Sequence, residues 1–251
     1  SSPDAVVSDE ITAPPLWMTA LEVRAFGERA QMSALLPLLR RLPTGDGHPV
    51  LVLPGFIASD RSTSPMRKLL RDLGYRTYGW GLGSNMGPSR EVLDGLVERL
   101  DRAHDRRREP VSIIGWSLGG VYARELARAR AALVRQVITL GSPIRNAHEA
   151  AAGRDFSRPL PVPSTSIYTR TDGIVPWRSS LIERTERSEN VRVEGSHCGL
   201  GFNAAAIAVL ADRLAQPADE WRHFAPPWYL RGAFPPARDL APSLRANPRV
   251  A

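Results

Sequence analysis

The sequence predicts an α/β fold built on a mostly parallel sheet of about six strands, with helices on both faces and a minimal cap. From Val50 onward, short apolar or β-branched runs alternate with stretches that have the apolar spacing of helices. Parallel strands need helical crossover connections, and these cover both faces of the sheet. A second observation is more specific: one strand runs directly into a serine flanked by glycines, and a helical pattern follows it.

The individual elements follow from the period of the apolar residues. The predicted strands are Val50–Leu53, Arg76–Trp80, Val111–Ile114, Gln136–Leu140, Ser166–Thr169 and Val191–Val193. The predicted helices are Leu16–Leu36, Ser64–Asp72, Ser89–Arg106, Val121–Ala132 and Ala204–Leu214. Pro37 should end the first helix, because proline lacks the N–H that a helix interior requires. That helix is expected to cover the core, with a membrane-surface helix as the alternative.

Three segments are expected along the chain. Residues 1–15 are polar and contain prolines, which predicts a flexible N-terminal segment. Residues 16–216 form the α/β domain, in which the insert 145–163 is too short for a separate cap domain but has room for a partial lid. Residues 217–251 are rich in proline and tryptophan, so we expect an extension that packs on the domain and has a loose end.

Composition argues against several functional classes. The formal net charge is +7, but the arginines are scattered and the chain has one lysine, so we expect no nucleic-acid partner. No apolar run is long enough for a transmembrane segment, which leaves at most weak contact with a membrane surface. Cys198 is the only cysteine, which suits a cytoplasmic protein; secretion with a removed leader is the alternative. The sequence carries no signal for an oligomeric state.

The segment Gly115-Trp116-Ser117-Leu118-Gly119 has the pattern of a nucleophile elbow. Such an elbow needs a buried strand, a strained turn that presents the serine, and a helix beginning beneath it. Glycines on either side remove side chains that would collide where strand and helix cross. Ser117 is therefore the predicted nucleophile.

A serine hydroxyl needs a base to take its proton and a third group to orient that base. Where the serine sits on such an elbow, the acid and then the histidine follow it along the chain. His197, between a short strand and a helix, is the predicted base, and His223 in the C-terminal extension is the alternative. Asp172, at a strand end before a glycine, is the predicted acid, with Asp155 as the alternative.

The transition state of acyl transfer carries an oxyanion that N–H donors must meet. One expected donor is the backbone of Leu118, directly after the nucleophile. The second is the backbone of Phe56, in the loop after the first strand, since Pro54 has no N–H to offer. Trp116, Phe56 and Trp177 are candidates for the substrate-binding site, with core packing as the alternative for each.

Five segments together resemble the α/β-hydrolase superfamily, in particular its small serine lipases and esterases. They are Leu53–Phe56, Gly115–Gly120, Thr139–Pro143, Tyr168–Gly173 and Gly195–His197, within a resemblance that spans about Val50–Leu214. The chain departs from many lipases at Pro54, where they have a histidine.

This resemblance implies a Ser117, Asp172 and His197 triad with Phe56 and Leu118 as the oxyanion donors. It implies hydrolysis of a small-molecule or lipid-like carboxylic ester through an acyl-serine, with no cofactor and no metal. Acyl transfer by the same triad and a non-catalytic binding scaffold are the alternatives.

Overall fold

The structure is a computed structural model that describes residues 11–106, 108–145 and 156–235. Its strands are β1 (Pro49–Leu53), β2 (Arg76–Gly79), β3 (Val111–Trp116), β4 (Val134–Leu140), β5 (Ser164–Tyr168) and β6 (Ser188–Arg192). They form one sheet in the order β2-β1-β3-β4-β5-β6, and every neighbouring pair is parallel. The predicted parallel sheet of about six strands is confirmed.

Helices cover both faces of this sheet. They are α1 (Leu16–Ala20), α2 (Arg24–Leu39), α3 (Asp60–Asp72), α4 (Arg90–Asp105), α5 (Leu118–Ala129) and α6 (Ala204–Ala215). Successive side chains of a strand point to opposite faces. Val50 and Val52 of β1 therefore pack in an apolar cluster with α2, α3 and α6, whereas Leu51 and Leu53 pack with α4 and α5.

The first predicted helix differs from expectation in two ways. It is interrupted by a 3-10 turn at Leu21–Val23, and Pro37 does not end it, because α2 continues to Leu39. The expected break at Pro37 is wrong because the hydrogen bond that proline removes is lost at an exposed position. The backbone carbonyl that loses its helical partner belongs to Ser33, and both residues are exposed near the helix end, where water can satisfy that carbonyl.

The order of the strands locates the crevice in which a ligand would bind. The chain passes from β1 outward to β2 and then returns to place β3 on the other side of β1. In open α/β sheets, the loops at the carboxyl ends of strands separate where the strand order reverses, and ligands bind there. The loop after β1 and the Ser117 turn after β3 therefore lie at the same edge.

The described part of the C-terminal extension contacts the domain. Phe224 and Phe234 pack against the apolar cluster beneath α2 and α6. The backbone N–H of Phe224 donates to the buried carboxylate of Glu189, at 2.8 Å. The predicted flexible segment is described only from residue 11 onward, and the predicted loose end, residues 236–251, lies outside the described residues.

Candidate active site

Ser117 occupies a strained turn between β3 and α5. Its φ of 52° and ψ of −124° are unusual for a residue with a side chain, and its N–H donates to the carbonyl of Leu140 at 2.8 Å. The flanking glycines make the turn sterically feasible. A Cβ on Gly115 would lie 2.4 Å from the carbonyl oxygen of Gly119, and a Cβ on Gly119 would lie 2.4 Å from that of Leu53.

Asp172 and His197 are brought together by the loops after β5 and β6. The Oδ2 atom of Asp172 lies 2.7 Å from Nδ1 of His197, and both residues are buried. The other carboxylate oxygen, Oδ1, accepts from the backbone N–H groups of Ile174 and Val175 at 2.9 and 2.7 Å. These bonds fix the carboxylate, so Nδ1 of the imidazole is held and Nε2 is the ring nitrogen left for the serine.

Ser117 and His197 line the same cavity, which has a volume of about 520 Å³. Much of its wall is apolar, formed by Phe56, Ile57, Ala58, Trp116, Ile174 and Phe202. Among the described residues, Ser117 Oγ has no hydrogen-bond partner. Nucleophile–base hydrogen bonds are often long before substrate binds and tighten only in the complex. The cavity thus places a hydroxyl and an oriented imidazole beside an apolar binding surface.

The loop after β1 lies against the serine. A Cβ on Gly55 would come within 3.0 Å of the Ser117 Cβ, so only glycine allows this approach without displacement. The N–H of Phe56 donates to no described residue, and that of Leu118, at the start of α5, has no intrahelical acceptor. Ile57 adopts a φ of 64°, which is strained for a β-branched residue. Two backbone N–H groups without a described acceptor therefore lie next to Ser117 or next to Gly55, the residue packed against it.

Asn85, in the loop after β2, holds the loop after β1 and was missed by the sequence analysis. Its backbone N–H donates to Ala58 at 2.8 Å, and its backbone carbonyl accepts from Ile57 at 2.7 Å. Its buried side chain donates to the Pro54 carbonyl at 3.0 Å and accepts from the Tyr122 hydroxyl at 3.3 Å. The glycines around Asn85 predict a loop, but nothing in the sequence shows what its amide binds.

The N-terminal helices contact the site, although the sequence suggested only that they cover the core. The carboxylate of Glu22 accepts hydrogen bonds from three backbone N–H groups of the loops after β5 and β6. Arg29 of α2 lines the cavity. The loops that carry Asp172 and His197 are therefore hydrogen-bonded to the N-terminal helices, which are not part of the sheet.

The three aromatic candidates have different surroundings. Phe56 and Trp116 line the cavity. The indole Nε1 of Trp116 donates to the backbone carbonyl of His197 at 3.2 Å, and its ring meets that of Phe202 edge-on. Trp177 does not contribute to the described wall of this cavity; its ring stacks on Tyr168 with centroids 5.8 Å apart. Trp177 is half-buried, with Arg170 and Arg178 over its ring, so core packing does not describe its surroundings, and its part in substrate binding stays a prediction.

The alternative acid and base are placed differently. His223 lines a separate cavity, where its Nδ1 lies 3.5 Å from the Glu189 carboxylate. Asp155 lies outside the described residues. Within the described ranges, no group of three or more His, Cys, Asp or Glu side chains is arranged to hold a metal ion. None of the described helices has both the length and the apolar character needed to cross a membrane.

No protein-family model matches this sequence, and a search of curated proteins finds no match. Among solved structures, the chain is similar to Aspergillus fumigatus lipase B, with a TM-score of 0.57 and 15% identity, over 71% of this chain and 56% of the lipase. It is similar to one of the metagenome-derived lipolytic enzymes LipS and LipT, with a TM-score of 0.54 and 15% identity, over 68% of this chain and 93% of that one. A third similar structure is the mouse alpha/beta hydrolase domain-containing protein 10, with a TM-score of 0.48 and 17% identity, over 67% and 88%. The parallel sheet and the similarity to the first two of these structures confirm the fold expected from the sequence.

Proposed function

We propose that this chain, which has the α/β-hydrolase fold, is a serine carboxylic-ester hydrolase that uses Ser117, Asp172 and His197 as its triad. One observation carries the proposal. The buried pair of Asp172 and His197 adjoins the cavity into which a strained elbow presents Ser117. Backbone strain of this kind is retained where the surrounding structure enforces it, and it concentrates at functional sites.

The reaction follows from the groups present. His197 Nε2 takes the proton from Ser117 Oγ as the oxygen attacks the ester carbonyl, and Asp172 stabilises the imidazolium that forms. The N–H groups of Phe56 and Leu118 bind the oxyanion of the tetrahedral intermediate. When the intermediate collapses, His197 gives the proton to the leaving alcohol and an acyl-serine remains. Water then attacks the acyl carbon while His197 takes its proton. As this second tetrahedral intermediate collapses, the bond to Ser117 Oγ breaks and His197 returns the proton to that oxygen, which releases the acid and the free serine.

The cavity favours an apolar, lipid-like or small-molecule ester. Phe56, Ile57 and Ile174 line it, and yet they are 55%, 65% and 49% exposed. Large apolar side chains that remain exposed around a cleft mark a surface that binds an apolar ligand or touches a lipid. Phe26, one helical turn from the cavity-lining Arg29, is 79% exposed and extends this surface. We therefore propose weak contact with a membrane or lipid surface at this mouth.

Ser117→Ala tests the nucleophile. We expect hydrolysis of p-nitrophenyl esters and labelling by a fluorophosphonate probe to be lost, because no hydroxyl remains to form the covalent bond. Ser142→Ala is the matched control. Ser142 is another serine after a neighbouring strand, β4, but its side chain packs against Gly120. It should keep both activities. Normal turnover by Ser117→Ala with an unchanged melting temperature would contradict the proposal.

A series of p-nitrophenyl esters of increasing acyl length tests the substrate class. A preference for medium or long chains is expected, because the cavity wall is largely apolar. Analysis of products in the presence of an added alcohol identifies the acyl acceptor. Free acid as the main product supports hydrolysis, whereas a new ester as the main product would identify an acyltransferase.

A further inference from the structure

We infer that Glu22 is a positioning residue: its carboxylate joins the two loops that carry the acid and the base, and it places a second negative charge near His197. The inference rests on the proposed function, because it assigns Glu22 a part in that same reaction. We call residues 169–175 the acid loop and residues 194–198 the histidine loop.

The hydrogen bonds of Glu22 connect these loops directly. Its Oε1 accepts from the backbone N–H of Gly173, which follows Asp172, and from that of His197, both at 2.9 Å. Its Oε2 accepts from the N–H of Cys198 at 2.8 Å. One carboxylate thus fixes the backbone on both sides of the Asp172–His197 hydrogen bond.

Glu22 is held in its ionised form. Burial alone would raise its pKa, but the hydrogen bonds from Cys198, His197 and Gly173, together with the nearby imidazole, lower the pKa below its ordinary value. A carboxylate that accepts backbone N–H bonds in this way forms stronger hydrogen bonds than a neutral acceptor does. Glu22 therefore carries a negative charge at neutral pH.

Arg24 and Glu28 support the same arrangement but are not equivalent to Glu22. Arg24 Nη2 donates to the carbonyl of Thr171 in the acid loop at 3.1 Å and to that of Gly195 in the histidine loop at 3.3 Å. The Glu28 carboxylate accepts from the N–H and the hydroxyl of Ser196 at 2.8 and 2.6 Å, so it contacts only the histidine loop. Glu28 is therefore a matched comparison for Glu22.

The charge of Glu22 matters because the imidazole becomes an imidazolium during the reaction. The groups that face His197 or its loop from the surrounding elements are Asp172, Cys198, Glu22, Arg24, Glu28 and Arg29. Asp172 bonds directly to the ring, and Glu22 is the carboxylate that binds the backbone N–H of His197 itself. Loss of the Glu22 charge should make the imidazolium less stable, so the neutral base should persist to lower pH.

The test compares kcat/KM against pH for wild type, Glu22→Gln, Glu22→Asp and Glu28→Gln, with a soluble short-chain p-nitrophenyl ester. In Glu22→Gln we expect kcat to fall by ~10- to 100-fold with little change in KM, because small misplacements of catalytic groups cost about that much. The acidic limb should move to lower pH, because the variant removes a negative charge that interacts with the imidazole. Glu22→Asp keeps the charge on a shorter side chain, so kcat should fall while the limb stays in place.

Glu28→Gln separates positioning across two loops from general loss of hydrogen bonds. It should lower kcat less than Glu22→Gln does and leave the acidic limb unmoved. Glu98→Gln, on the exposed face of α4, should match wild type. An acidic limb that is identical in Glu22→Gln and Glu28→Gln, with equal losses of kcat, would overturn the inference. Activity retained by Ser117→Ala would instead overturn the proposed function, so the two failures are distinguishable.

Discussion

Replacing Asp172 by asparagine exchanges one carboxylate oxygen of the proposed triad for an NH₂ group. The two backbone N–H groups of Ile174 and Val175 both donate to Oδ1. In the Asp172→Asn variant these donors would select the amide oxygen for that position. The NH₂ group must then take the place of Oδ2, which lies 2.7 Å from Nδ1 of His197.

The size of the effect follows from this forced orientation. An NH₂ group facing Nδ1 makes that ring nitrogen accept a hydrogen bond, so the neutral imidazole carries its proton on Nε2 and offers Ser117 a donor instead of a base. In a serine protease, the equivalent substitution lowers kcat by about 10⁴-fold. We expect a loss of the same order here, which corresponds to about 5.4 kcal/mol at about 1.36 kcal/mol per tenfold change.

The assay measures kcat/KM for a p-nitrophenyl ester and the rate of fluorophosphonate labelling, together with the melting temperature. Both rates should fall sharply while the protein stays folded, because the two hydrogen bonds at Oδ1 persist. Asp155→Asn, the alternative acid, serves as the control and should keep wild-type rates. A loss of less than tenfold in Asp172→Asn, or a large loss in Asp155→Asn, would refute the reasoning.

Three further predictions concern the framework of the site. Gly115→Ala should lower stability by ~3 kcal/mol or more in urea unfolding, since the new methyl would meet backbone atoms of Gly119 at 2.4 Å and cannot displace them cheaply. Glu189→Gln should lower stability in the same measurement, by less than the about 3–5 kcal/mol of a buried charge left wholly unpaired, because buried Arg213 loses the carboxylate 2.8 Å away but keeps Asp212 as a second counterion. The pKa of Glu22 is lowered in the folded state, so its stabilising contribution is present above its ordinary value of 4.5 and is lost as the pH falls below it. The difference in melting temperature between wild type and Glu22→Gln should therefore be largest near pH 7 and shrink as the pH falls below 4.5. A difference that grows on acidification would contradict this assignment.

The parts of the fold that could be predicted depend on local apolar patterns. Strand β1 is a continuous apolar run, and β3 is interrupted only by Ser112, because both faces of each strand are buried. Strand β6 was placed at Val191–Val193, whereas it begins at Ser188. Its first residues are polar, and the buried carboxylate of Glu189 is paired with Arg213 of α6 and accepts from the Thr165 hydroxyl and the Phe224 N–H. An ion pair between residues far apart in the sequence does not show in the period of the apolar residues.

The same distinction holds at the site. Ser117 could be predicted because a nucleophile elbow is a local strand–turn–helix unit whose glycines have a steric reason. The geometry of Asp172 and His197 agrees with their predicted positions at the ends of successive strands, and their roles remain a proposal. Asn85 and Glu22 could not be identified from sequence, since each acts by binding the backbone of loops far away along the chain.

The backbone of these loops explains why a distant helix is needed. Buried N–H groups such as those of Gly173 and His197 must find acceptors, and neither the turn after Asp172 nor the loop around His197 belongs to a strand or helix that would supply them. The three N–H groups of Gly173, His197 and Cys198 converge on the single carboxylate of Glu22. A neutral acceptor could satisfy them but would add no negative charge near the imidazole. The Glu22 carboxylate, from the turn between α1 and α2, satisfies the backbone and brings a negative charge near the imidazole at once, so one side chain couples the stability of these loops to the chemistry proposed for the site.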